Sequence, residues 1–210
     1  MICSVIDIGS NTVRLSVFKT VDGEVRTLFS EKQSVGLASY RDGNVLTDEG
    51  VEKLIAVLTL FKKIIINFDA IEETYAIATA SLRDVKNCDE IVERARVETG
   101  VNIELISGNE EARLAFLGAY QFLPDHEQGI LADIGGGSTE IVRFRKNEML
   151  ENTSLSIGSL TAYNNYIDKI FMSATEREKL GSDLKEMLKM SGISRANNDY
   201  LCGVGGSARA

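Results

Sequence analysis

Asp133-Ile134-Gly135-Gly136-Gly137-Ser138-Thr139-Glu140 is the stretch that decides the fold of this chain. An apolar run at 130–134 leads into three glycines, and 138–144 then alternates apolar and polar residues. That pattern is a strand, a tight turn and a returning strand. The N-terminus repeats it: residues 1–7 are apolar and β-branched, Gly9-Ser10-Asn11 turns, and 12–18 alternates again. Asp7-Ile8-Gly9 aligns with Asp133-Ile134-Gly135 at a spacing of 126 residues, and without any gap Phe18 falls on Phe144. Two copies of one hairpin imply two similar domains facing one another, expected at 1–125 and 126–210.

Between the copies, strands and helices alternate. Residues 24–34 supply a third strand after Asp22-Gly23, and Thr47 caps a helix that runs to Asn67 with Gly50 in its first turn. Residues 74–78 read as a buried strand, 88–99 as an amphipathic helix closed by Gly100, and 102–106 as a short strand. Ser107-Gly108-Asn109-Glu110 has the S-x-x-E form of a capping box and opens a helix to about Phe122, before a break at Pro124-Asp125. A hairpin followed by alternating strands and helices gives an α/β fold with mixed sheets flanked by helices. The second copy is expected to be cut short, because the chain stops just after a third glycine turn, Gly203-Val204-Gly205-Gly206-Ser207.

Composition bounds the function. The chain has 210 residues, 44% hydrophobic and 26% charged, with one proline, as in ordered globular proteins. Cys3, Cys88 and Cys202 lie far apart without a CxxC spacing, which fits reduced thiols in a cytoplasm better than disulfides or zinc. Met1 opens directly into a strand, with no signal-peptide pattern. Residues 54–68 are the most apolar stretch, but Lys62 and Lys63 interrupt it and it is too short to span a bilayer, so no membrane role is expected. It reads as a buried helix and is apolar enough to offer a partner surface, hence a homodimer. A net charge of −8 argues against nucleic-acid binding, which relies on a positive field. Phosphate ligands stay open, because backbone N–H groups and a divalent cation can hold them.

A D-x-G-S or D-x-G-G-G-S-T hairpin lines a tight turn with successive N–H groups, since glycine tolerates unusual backbone angles and has no side chain. Such a turn binds an anion at Ser10 and Asn11 in the first copy and at Gly135, Gly136, Gly137 and Ser138 in the second. Gly205, Gly206 and Ser207 count with these phosphate-binding positions. Asp7 and Asp133 stand before the turns, placed to hold a divalent cation such as Mg2+ or Mn2+ against the same phosphate. Short glycine motifs are often plain turns, but the repeat and the run Ser138-Thr139-Glu140 favour a ligand.

Glu110 takes the capping position, and Glu111, about 100° further round the helix, is left over. Taken alone Glu111 is an ordinary surface acid; in a cleft between the domains it would take a proton from a water attacking phosphorus. Glu140 would orient that water or ligate the metal. Arg83, just after a strand, suits phosphate clamping, although an isolated arginine is more often solvated. Arg14 either pairs with an acid such as Glu111 or touches substrate. His126, the single histidine, reads as linker surface.

Six motifs now stand in order: Ile6-Asp7-Ile8-Gly9-Ser10-Asn11 with Arg14-Leu15; Ala78-Thr79-Ala80 with Leu82-Arg83 and Asn87; Ser107-Gly108-Asn109-Glu110-Glu111-Ala112-Arg113-Leu114; Asp133 to Glu140; Ser154-Leu155 with Ile157-Gly158; and Gly205-Gly206-Ser207-Ala208. Together they resemble the exopolyphosphatase and guanosine pentaphosphate phosphatase (Ppx/GppA) family over nearly the whole chain. The resemblance implies duplicated ribonuclease H-like domains of the actin, Hsp70 and sugar-kinase superfamily. It also implies magnesium dependence and removal of the terminal phosphate from polyphosphate or pppGpp. Glu111 falls on the family's water-activating base, and Gly135 to Ser138 on its phosphate grip. Members of this family have more chain after the last motif, so a preference for short chains or guanosine polyphosphates is expected here. Two other functions share these hairpins: an ATP-dependent small-molecule kinase of the superfamily, which lacks the Glu110-Glu111-Ala112-Arg113-Leu114 run, and a sensor that binds polyphosphate or guanosine polyphosphate without turnover.

Overall fold

The computed structural model describes residues 1–68, 70–120, 122–123, 128–146, 148–194, 200–206 and 208. It falls into two compact units, Met1–Ile106 and Ser107–Ala210. The border expected at 125/126 lies outside the described residues, and the helix that precedes it belongs with the second unit.

In unit 1, β1 (Ile2–Ile8), β2 (Thr12–Val21) and β3 (Glu24–Ser34) form an antiparallel meander. A single 3-10 turn, Leu37–Tyr40, and a minimal hairpin of β4 (Arg41–Asp42) and β5 (Val45–Leu46) lead into α1 (Asp48–Ile66). β6 (Glu73–Ala78), a one-turn α2 (Ala80–Arg83), α3 (Cys88–Thr99) and β7 (Ile103–Leu105) complete it. The sheet order is β3-β2-β1-β6-β7, with β6 and β7 parallel to β1. Strand alternation puts Ile6, Ile8, Val13 and Leu15 on one face, where they are fully buried with Leu54, Leu58 and Phe61 of α1 and Ile91 and Ala95 of α3.

The apolar run 54–68 is therefore spent mostly on this core rather than offered to a partner; Leu60 and Ile66 are its exposed large side chains. β6 is less buried than its composition predicts. Ala76 and Ala78 face the helices, while Glu73 to Tyr75 are exposed. The Asn87 side-chain amide exchanges two hydrogen bonds with the Leu46 backbone, at 2.9 and 3.1 Å, and so ties the entry of α3 to the small hairpin.

Unit 2 opens with α4 (Gly108–Tyr120), then β8 (Gln128–Ile134), β9 (Thr139–Arg145) and β10 (Glu148–Leu155) form a second meander. α5 (Ser159–Tyr166) and α6 (Ala174–Met190) precede β11 (Tyr200–Val204), which joins parallel to β8, giving the order β10-β9-β8-β11. Ala112 and Phe116 of α4 pack on Leu131, Val142 and Phe144, with the Phe116 and Phe144 rings 5.7 Å apart. No helix among the described residues is long and apolar enough to cross a membrane.

The internal repeat holds down to single bonds. Gly9 N–H donates to Thr12 O at 3.0 Å, and Gly135 N–H donates to Ser138 O at 3.0 Å. In register, Asp7 faces Arg14 across β1 and β2, and Asp133 faces Glu140 across β8 and β9.

Candidate active site

The glycine turn of unit 2 is held from one side. Ser159 N–H donates to Gly135 O at 2.9 Å, Leu160 N–H to Gly136 O at 2.9 Å, and Thr161 N–H also reaches Gly136 O at 3.2 Å. The Ser159 hydroxyl adds a bond to Gly135 O, and the Thr161 hydroxyl lies 3.3 Å from Gly137 O. These bonds use the N–H groups that a helix N-terminus leaves without intrahelical partners. No peptide here is cis, and in a planar trans peptide the C=O and the following N–H point opposite ways. The carbonyls of Gly135, Gly136 and Gly137 turn toward α5, so the N–H groups of Gly136, Gly137 and Ser138 turn away from it. Three successive N–H groups on one side of a loop make an anion-binding nest.

Unit 1 repeats the device in a smaller form. Ser10 O accepts from Ala38 N–H at 2.9 Å and Asn11 O from Gly36 N–H at 2.8 Å, which turns the N–H groups of Asn11 and Thr12 away from the 36–38 segment. Ser10 itself is buried, and the Ser81 hydroxyl donates to Ile8 O beneath the turn at 2.5 Å.

Acidic residues sit beside the nest of unit 2. Asp133, half-buried, is the last residue but one of β8, and Glu140, the second of β9, is only 1% exposed, its carboxylate accepting from the Ser154 hydroxyl at 2.7 Å. Gly205, at φ +94°, passes so near that a β-carbon there would lie 2.9 Å from Asp133 Oδ1 and 2.7 Å from Ile134 O. Glycine is thus required at 205 by both the backbone angle and the space. Alternation puts Asp133 and Glu140 on the sheet face that α4 covers, and Glu111, half-buried, stands beside buried Ala112 in the first turn of that helix.

Among the described residues no three acidic, histidine or cysteine side chains gather into a ready-made metal cage. That donor set still fits Mg2+, which keeps several waters and is bound through one or two carboxylates plus substrate phosphates. Asp133, with Glu140 behind it, offers that kind of site.

Other sequence candidates are placed as follows. Asp7 and Arg14 are exposed neighbours across the first hairpin. Arg83, half-buried, ends α2 and donates to Ile106 O at 3.3 Å. Gly206 follows Gly205 in the third glycine turn, and Ser207 lies outside the described residues, as does His126. The capping-box expectation for Glu110 is half right. Ser107 Oγ accepts from Glu110 N–H at 3.1 Å, but the Glu110 carboxylate takes a two-pronged grip from Arg113 at 2.7 and 2.8 Å. Arg113 thereby holds the Glu110 carboxyl below its usual range. An arginine three residues on competes better for a carboxylate than a backbone N–H does. Ser159 and Thr161 escaped sequence reasoning; their signal was a serine and a threonine just after Ile157-Gly158, at a helix start.

A duplicated β-meander with a parallel fourth strand and a glycine hairpin per unit is the ribonuclease H-like fold of the actin-like ATPases. Within that class, residues 16–202 match the Ppx/GppA phosphatase family, and this chain belongs to it. The Aquifex aeolicus PPX-GPPA enzyme is 29% identical, with a TM-score of 0.80 over 99% of this chain and 68% of its own. An exopolyphosphatase from Cytophaga hutchinsonii is 28% identical, with a TM-score of 0.88 over 99% of this chain and 67% of its own.

Proposed function

We propose that this chain is a phosphohydrolase that releases the terminal phosphate of inorganic polyphosphate or of guanosine pentaphosphate, with Mg2+ or Mn2+ as cofactor. The observation that carries this reading is the row of three N–H groups at Gly136, Gly137 and Ser138, turned away from α5 and bordered by Asp133 and Glu140. A nest of that kind neutralises charge on phosphate oxygens, which is most of what phosphoryl transfer asks of a protein.

In this reading Glu111 accepts the proton of the attacking water, and Glu140, fixed by Ser154, orients it. Asp133 would hold the cation, which would supply charge neutralisation at the phosphate oxygens. Within unit 2, Gly205, Gly206 and Ser207 add phosphate contacts; unit 1 carries a set of its own in Asp7, Ser10, Asn11, Arg14 and Arg83. The three free thiols fit a cytoplasmic setting.

The test is phosphate release from polyphosphate and from pppGpp with magnesium, for this chain and its Glu111→Ala variant. Release should fall about a hundred- to ten-thousand-fold in the variant, the usual contribution of a general base. Ligands that bind without release would make the chain a sensor, and ATP consumed only with an acceptor present would make it a kinase.

A further inference from the structure

The glycine turn has no side chains of its own to stiffen it. Gly135, Gly136 and Gly137 are free to exchange between backbone conformations that other residues cannot reach. A peptide that flipped would present a carbonyl oxygen where the nest presents an N–H, and so would repel an anion. Something outside the turn must therefore hold each peptide plane.

α5 supplies that hold. Its first three N–H groups take the carbonyls of Gly135 and Gly136, and the Thr161 hydroxyl reaches Gly137 O. Thr161 Oγ1 also accepts from Gly158 N–H at 2.7 Å and lies 3.1 Å from Gly158 O. One side chain thus connects the residue before the helix to the last glycine of the turn. From the other side, the Thr139 hydroxyl donates to Ile157 O at 2.6 Å and pins the same segment to β9.

Gly158 is the contact surface between helix and turn. A β-carbon there would lie 2.6 Å from Gly135 O, 2.6 Å from Gly136 C and 2.7 Å from Gly136 O. All three are backbone atoms, so relief requires the turn itself to move.

We infer that Thr161 and Gly158 are positioning residues for phosphate binding: they lock the 135–138 peptides with their N–H groups outward, and touch no phosphate themselves. This rests on the phosphate-binding reading of the turn. It adds that the geometry of the nest is set by α5 and not by the three glycines.

The experiment measures binding of inorganic tripolyphosphate by calorimetry, and KM and kcat for phosphate release, in Thr161→Val, Thr161→Ser, Gly158→Ala and Ser159→Ala. Thr161→Val keeps the shape and removes the hydroxyl. It should weaken tripolyphosphate binding about tenfold, the equivalent of one well-placed hydrogen bond, and raise KM more than it lowers kcat. Thr161→Ser should restore binding to near the parent value, and Gly158→Ala should bind more weakly than any of the others. Ser159→Ala removes an exposed hydroxyl, leaves the fold intact and should cost about two- to threefold, a fraction of one hydrogen bond. Binding by Thr161→Val equal to the parent, or equal losses in Thr161→Val and Thr161→Ser, would overturn the inference. Tight binding that depends on Thr161 without any release would leave the positioning role standing and remove the hydrolase. Release indifferent to Thr161→Val would do the reverse, and a chain that neither binds nor releases phosphate would sink both.

Discussion

Three donors converge on Glu151. Arg143 gives its guanidinium at 2.6 Å, and Ser194 gives its N–H at 2.7 Å and its hydroxyl at 2.8 Å. Arg143 first, then Ser194, pull the Glu151 carboxyl down to about 2. In the unfolded chain that group titrates in the ordinary glutamate range, near 4.3. The stabilisation is therefore complete above that range and disappears as the pH falls toward 2. Glu151→Gln should lower the melting temperature at neutral pH, and the gap to the parent should close between about pH 4.5 and 2, the span between the two titrations. A gap that is constant with pH would show that the carboxylate charge plays no part. The variant keeps one oxygen that can accept from Arg143 but removes the charge that attracts its guanidinium, whose Nε is buried without a partner among the described residues. This pair was illegible in the sequence because β9 and β10 slip register between Met149 and Glu151, so simple strand counting misaligns them. Asp133 and Glu140 were legible for the opposite reason: a tight turn fixes the count across it.

Two opposing effects meet at Gly50, in the first turn of α1. Alanine has the better helix propensity by about 1 kcal/mol. A β-carbon at 50, however, would lie 2.6 Å from Tyr40 Cβ and 2.9 Å from Leu46 Cδ1, so the 3-10 turn and the small hairpin would have to shift. Overpacking of that kind costs about 1–3 kcal/mol, so Gly50→Ala should destabilise in a chemical-denaturation measurement rather than stabilise. The N-cap that starts this helix, Thr47 accepting from Gly50 N–H at 3.3 Å, was readable from the sequence, as were the ends of α3 and the start of α4. Each carries a capping residue or a glycine at a known offset. α6 carries the same signal in its sequence, with Ser173 and Glu176 closing a full capping box. α2 and the 3-10 turn are too short for periodicity to reveal.

The two units differ in how much they bury. Among the described residues, the core of unit 1 joins twenty-one buried side chains and that of unit 2 five. Each fully buried aliphatic or aromatic side chain contributes about 1.5–3 kcal/mol, so unit 2 should be the weaker. Hydrogen exchange should release the amides of β8 and β9 before those of β1 and β2, and Phe144→Ala, at about 3–5 kcal/mol, should unfold unit 2 selectively. Protection that is uniform across both sheets would contradict this. The repeat made both meanders legible, since one hairpin predicted the other. It could not assign α4 to the second unit, because a repeat read from the hairpins alone carries no information about the helix ahead of β8.

Among the described residues, the strand pairings of the first sheet close within residues 2–105 and those of the second within 128–204. Translation proceeds from the N-terminus at about 5–20 residues per second, and domains generally fold as they emerge. The first sheet can therefore be complete while the second is still being made. The second must wait for β11, whose partner β8 was synthesised some seventy residues earlier, since Tyr200 pairs with Gly129. During that interval one flank of β8 is an open edge, and the ribosome-bound chain is most exposed to mispairing there.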